Sequence, residues 1–155
     1  MKLQRSPVGR SMRGRRTKGF FLRAETATQV FDYMSSHQVP GYGDRHLSTV
    51  SHGESFMQVI EGRFTEPALY LLDEPEAALS FNSCLRLIAL LVAVAEAGAQ
   101  VICATHSPLL AAVPAATIYE LSERGIEEVA WEDLELVGHW RRFMNQPESY
   151  LRHLD

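Results

Sequence analysis

The chain has 155 residues, of which 46% are apolar and 22% charged, with a formal net charge of -4 and two cysteines. That length points to one domain, and that composition to a soluble globular protein with enough apolar side chains to bury a core. No apolar stretch reaches the ~18 residues of a membrane helix, no signal peptide is visible, and Cys84 and Cys103 show no ligand spacing, so buried structural thiols in a reducing cytoplasm are expected.

The charge is uneven. Residues 1–18 hold Lys2, Arg5, Arg10, Arg13, Arg15, Arg16 and Lys18 and no acid, so this segment carries +7 and the rest -11. It reads as a basic disordered tail ahead of a domain spanning 19–155. Such an arm can also touch DNA through phosphates, although it has no aromatic residue for base stacking.

Gly19 to Glu25 (GFFLRAE) follows as a short apolar run, expected as a strand. Thr26 to His37 places Ala27, Val30, Phe31 and Met34 at helical spacing. Residues 38–50, with Pro40, Gly41 and Gly43, read as a loop. Gly53 to Phe64 reads as a helix with Phe56, Val59, Ile60 and Phe64 on one face. After Pro67, the unbroken run Ala68 to Leu72 predicts a strand buried on both faces, as in a parallel sheet.

Phe81 to Ala97 predicts a long helix ended by Gly98, and Gln100 to Ala104 a second buried strand. Ser107-Pro108 is a helix start, with serine as cap and proline at the first helical position. Ala116 to Leu121 and Ile126 to Val129, around Glu123-Arg124-Gly125, predict a hairpin. Trp131 to Met144 and Pro147 to Leu154 read as closing helices, the second with proline at its first position. Strands alternating with helices argue for an α/β fold with a mostly parallel sheet.

Three motifs carry chemistry. The run Ala68 to Leu72 ends in Asp73-Glu74, and open α/β sheets bind ligands at the carboxyl ends of their strands. The first acid is suited to holding Mg2+, a hard cation that prefers oxygen ligands. The second is suited to orienting and deprotonating an attacking water. Upstream, Ser51-His52-Gly53-Glu54 offers a hydroxyl and free N–H groups at a helix start, which suits a phosphate or equally an ordinary capping box. Downstream, Thr105-His106 follows the next strand, where a histidine can bond a γ-phosphate or the attacking water.

In this order the motifs resemble those of ABC-type ATPases, and most nearly the bacterial stand-alone ATPases related to the RecF, SMC and Rad50 group. Val50-Ser51-His52-Gly53-Glu54 resembles the ABC signature, with His52 in place of its first glycine. Ala68 to Glu74 resembles the Walker B strand, which implies Asp73 at the Mg2+ position and Glu74 as the catalytic glutamate. Glu76-Ala77-Ala78-Leu79-Ser80 resembles the D-loop, with Ser80 in place of its usual aspartate. His106 falls at the switch histidine, and Glu25 near the Q-loop glutamine. The resemblance covers roughly residues 19–155 and implies a P-loop NTPase core, Mg-ATP as cofactor, and a composite site in a homodimer or in a heterodimer with a complete ATPase.

No G-x-x-x-x-G-K-[ST] occurs in the chain. The nearest string, Gly9 to Arg16, has the glycine spacing without the Lys-Ser/Thr pair. The resemblance places the strand that bears this loop beside Val101–Ala104, so the expectation is an incomplete core, truncated and poorly stable alone. The alternative is a regulatory or vestigial partner that lends its signature to another ATPase. An AAA+ ATPase shares the acids and a polar residue after the next strand, here Thr105, but lacks the signature-like SHGE. A serine hydrolase finds little support, because Gly53-Glu54-Ser55-Phe56-Met57 lacks the second glycine of a nucleophile elbow.

Overall fold

A computed structural model of the chain describes residues 19–25 and 52–152. The expected helix at Thr26 to His37, the loop at 38–50, the basic tail and Ser51 lie outside the described residues. Described residues fall into two units, one reaching Ala104 and one from Thr105 onward.

The first unit is α/β. Strands β1 (Gly19–Arg23), β2 (Leu69–Asp73) and β3 (Gln100–Ala104) form a parallel sheet in the order β1-β2-β3. The register aligns Gly19 with Leu69 and Gln100, and Arg23 with Asp73 and Ala104. Between the strands run helices α1 (His52–Arg63) and α2 (Phe81–Glu96). Both connections step across the sheet in the same direction. Parallel crossovers are almost always right-handed, so both helices belong on one face.

Burial follows that topology. On one face Leu22, Tyr70 and Leu72 are buried together with Phe56, Met57 and Ile60 of α1 and Leu87, Leu91 and Val94 of α2. Phe64 stacks on Tyr70 at 4.0 Å between ring centroids and meets Phe20 edge-on at 6.0 Å. The Tyr70 hydroxyl donates to the Glu66 carbonyl at 2.6 Å, which satisfies the one polar atom this ring would otherwise strand. Arg86 of α2 reaches Glu61 of α1 at 2.7 Å.

The opposite face is different. Phe21 is 63% exposed and Ile102 54%, with Leu69 and Leu71 half-buried between them. The expectation that β2 and β3 are buried on both faces is therefore corrected among the described residues: β2 alternates half-buried and buried side chains, and β3 exposed and half-buried ones. Continuous apolar strands need two helical layers, and the described crossovers supply one.

Element ends have local causes. The Ser80 hydroxyl caps α2, accepting from the Ser83 N–H at 3.2 Å. The helix stops where Gly98 takes φ +97°, while the Ala99 N–H bonds back to the Val94 carbonyl at 2.9 Å. β1 ends at Arg23, short of the expected Glu25, because Ala24 and Glu25 already take helical backbone.

The second unit begins with α3 (Pro108–Ala111), capped by Ser107. Strands β4 (Ile118–Ser122) and β5 (Gly125–Val129) form the expected antiparallel hairpin, with Gly125 at φ +117° in its turn. The single helix expected from Trp131 is instead a 3-10 turn, Trp131–Asp133, followed by α4 (Glu135–Asn145). The last helix, α5 (Glu148–Leu151), starts after Pro147, which stands at the cap rather than inside. The Trp131 indole donates to the Pro108 carbonyl at 2.8 Å, joining the start and middle of this unit.

Candidate functional site at the carboxyl end of β2

Asp73 and Glu74 emerge where the strands of the first unit end. The apolar run before them is anchored by the buried Tyr70 and Leu72, which fixes where the acids appear. Asp73 is the last residue of β2, and its side chain is about one-third exposed, at 35%. Glu74 donates its backbone N–H to the Ala104 carbonyl at 2.9 Å, which ties the acid pair to the end of β3.

Glu74 is also conformationally marked. It takes φ 47° and ψ 50°, the left-handed region, immediately before the 3-10 turn Pro75–Ala78. Pro75 disfavours the right-handed helical conformation for the residue before it. A left-handed non-glycine residue costs roughly 1–2 kcal/mol, and such outliers concentrate at functional positions. The Glu74 side chain is exposed.

One residue of this rim escaped the reading of the sequence. Arg23, at the end of β1, places Nε 3.3 Å from Asp73 Oδ2 and Nη2 3.5 Å from Glu25 Oε2. The parallel register makes this contact, since Arg23 aligns with Asp73 across the ladder. Its only sequence signal is position: a charged residue ending an apolar run, as Asp73 does. All three side chains are substantially solvated, so the pairs contribute about 0–1 kcal/mol each.

Beneath the rim lie the two thiols. Burial pushes the Cys103 thiol up to about 12, with the Glu76 and then the Asp73 carboxylates adding to the effect. Cys84 is raised for the same first reason, with Glu76 again contributing. Protonated thiols are poor nucleophiles and poor metal ligands, and both cysteines are free.

The remaining candidates are dispersed. Gly53 and Glu54 lie in the first turn of α1, with Glu54 exposed; Ser51 lies outside the described residues. Ser80 serves as the cap of α2 and also bonds the Ser83 hydroxyl at 3.0 Å. His106 is exposed and follows β3 by two residues in the chain, but belongs to the second unit. There the Thr105 hydroxyl accepts from the Ser107 N–H at 3.0 Å. The structure thus brings Asp73, Glu74 and Glu25 to one rim with Arg23. Among the described residues no cluster of three or more His, Cys, Asp or Glu forms a metal site by itself.

Residues 18–112 match the model of a protein family described as "AAA domain, putative AbiEii toxin, Type IV TA system". The chain belongs to this AAA-domain family. The match spans β1 to the end of α3 and contains every candidate residue of the site. Membership in an AAA-domain family carries ATPase-type nucleotide binding as its function class, and the α/β unit with its parallel sheet suits a P-loop NTPase-like core. No curated protein and no solved structure matches this AAA domain. No helix among its described residues is long and apolar enough to cross a membrane.

Proposed function

We propose that this AAA domain is an ABC-type, Mg-ATP-hydrolysing module related to the RecF, SMC and Rad50 group, acting in the cytoplasm through a composite site. The observation that carries the reading is the Asp73-Glu74 pair at the carboxyl end of the central parallel strand, with Glu74 in a left-handed conformation.

The donor set suits the ion. Asp73 presents a partly exposed carboxylate, and Mg2+ sites in such proteins use one or two carboxylates plus water and phosphate oxygens. Asp73 is the residue that would hold Mg2+, which when bound neutralises charge on the transferring phosphate. Arg23 keeps the Asp73 carboxylate oriented through Oδ2. Glu74 accepts the proton of the attacking water. Ser51, Gly53 and Glu54 contact nucleotide phosphates, Ser80 lines the D-loop, His106 bonds the γ-phosphate side, and Glu25 stands at the Q-loop position. In this reading 19–155 is one functional domain and 1–18 a basic arm free to touch DNA.

A second reading rests on a specific fact: no G-x-x-x-x-G-K-[ST] occurs in the sequence. That loop supplies most phosphate contacts in P-loop ATPases. The chain would then serve as a regulatory partner, dimerising with a complete ATPase and lending Ser51 and Gly53 in trans.

Equilibrium binding of Mg-ATP and steady-state hydrolysis test both readings, on the chain alone and mixed with a complete ATPase. The composite-site reading expects turnover only in the mixture, with Glu74→Gln abolishing it while nucleotide stays bound. Turnover in the mixture unaffected by Glu74→Gln favours the regulatory reading. Glu74-dependent hydrolysis by the chain alone contradicts the need for a phosphate-binding loop from a partner.

A further inference from the structure

We propose that Arg23 sets which divalent cation Asp73 accepts, by holding one carboxylate oxygen and leaving a single-oxygen site that suits Mg2+ better than Ca2+. This selectivity rests on the reading above that Asp73 holds the metal, and names the residue that imposes it.

The pair is placed by backbone. Arg23 ends β1, Asp73 ends β2, and the ladder aligns them. Aligned residues of neighbouring parallel strands project from the same face of a sheet. The guanidinium therefore reaches the carboxylate from one strand end to the next, with Nε 3.3 Å from Asp73 Oδ2. Its other end is held as well, with Nη2 3.5 Å from Glu25 Oε2. A planar fork tied at two points is a directional partner, which a single ammonium is not.

With Oδ2 turned to the guanidinium, Oδ1 is the oxygen a cation can take without displacing Arg23. Mg2+ is satisfied by one oxygen from a carboxylate and fills its tight octahedron with water and phosphate oxygens. Ca2+ takes about six to eight oxygens at longer distances and gains from a carboxylate that offers both. A held Oδ2 therefore costs Ca2+ more than Mg2+. The positive charge of Arg23 weakens both ions alike, because both carry the same charge. Charge thus moves the two affinities together, and geometry moves their ratio. The pair is partly solvated, at 52% and 35% exposure, so its hold on Oδ2 is worth up to about fivefold in that ratio.

The test uses the full 155-residue chain, isotopically labelled for amide NMR, with Mn2+ as the probe. Mn2+ broadens the backbone amides of Asp73, Glu74 and Ala104. Mg2+ and Ca2+, added separately, reverse the broadening, and the two concentrations needed give the ratio. In Arg23→Gln both ions are expected to compete better, Ca2+ by about three- to fivefold more than Mg2+. Arg23→Lys keeps the charge without the fork, so the ratio shifts the same way while Mg2+ competes as in the parent. Asp73→Asn removes the broadening. Broadening that survives Asp73→Asn overturns the metal reading and the proposal with it. Broadening lost in Asp73→Asn, with the ratio in Arg23→Gln and Arg23→Lys unchanged within about twofold, overturns the proposal alone.

Discussion

The two faces of the β1-β2-β3 sheet are built from neighbouring residues of the same strands and have opposite fates. Phe20, Leu22, Tyr70 and Leu72 look toward α1 and α2, and three of these four are buried. Phe21, Leu69, Leu71 and Ile102 are as apolar, yet two of them are more than half exposed. The difference lies in handedness rather than hydrophobicity. Parallel crossovers that step the same way, with the right hand such connections nearly always take, deliver both helices to one side. Apolar side chains determine that a face wants covering; the direction of travel across the sheet determines which face is covered.

Substitutions on the two sides sharpen this contrast. Leu87→Ala, deep on the covered side, is expected to lower unfolding free energy by about 2–5 kcal/mol, measured by urea denaturation. A loss below about 1 kcal/mol would mean that α2 does not seal this face. Cys103 tests the same side by pH. Its thiol is raised to about 12 from the ordinary 9.0, so the folded chain keeps a proton that the unfolded chain loses first. The stability it contributes is complete below pH 9.0 and drains away as pH rises toward about 12. Urea midpoints of the parent should therefore fall more between about pH 8 and about pH 11 than those of Cys103→Ala. Equal slopes would show that the thiol is solvated.

A smaller effect is expected where the covering helix begins. Ser80→Ala removes the cap of α2 and should cost about 1 kcal/mol, readable as a lower thermal midpoint; a change within error would mean that solvent satisfies the Ser83 N–H as well as the Ser80 hydroxyl does. On the open side, Phe21→Ser is expected to change stability by no more than about 0.5 kcal/mol. A loss of several kcal/mol would show that something of this chain covers the face in solution.

Much of this was legible in the sequence. β3 occupies the residues its apolar run indicated, and the Gly98 stop and Ser107 cap appear where local chemistry required them. The acid pair was visible because an apolar run ending in two carboxylates is a local pattern. The Arg23–Asp73 contact was not, because it depends on the register between β1 and β2. Nor was the difference between the faces: an unbroken apolar run says that two sides are greasy, and cannot say that the described helices cover only one. The break before α4 was equally hidden, since Trp131 to Met144 carries helical spacing throughout while Leu134 takes φ -57° and ψ 130° between the two turns. The left-handed Glu74 had one local hint, the following Pro75, which disfavours a right-handed helix without naming the alternative.

The sheet's connectivity also sets an order of assembly. To pair β2 with β3, residue 69 must find residue 100; to add β1, residue 19 must find residue 69. The shorter closure costs less chain entropy, and the helix within it, α2, is the longer of the two. On this argument the β2-α2-β3 unit is expected to form first and β1 to join it later. Arg23 travels with it. Its guanidinium faces Asp73 only when β1 is paired with β2, so the charge of the rim depends on that pairing.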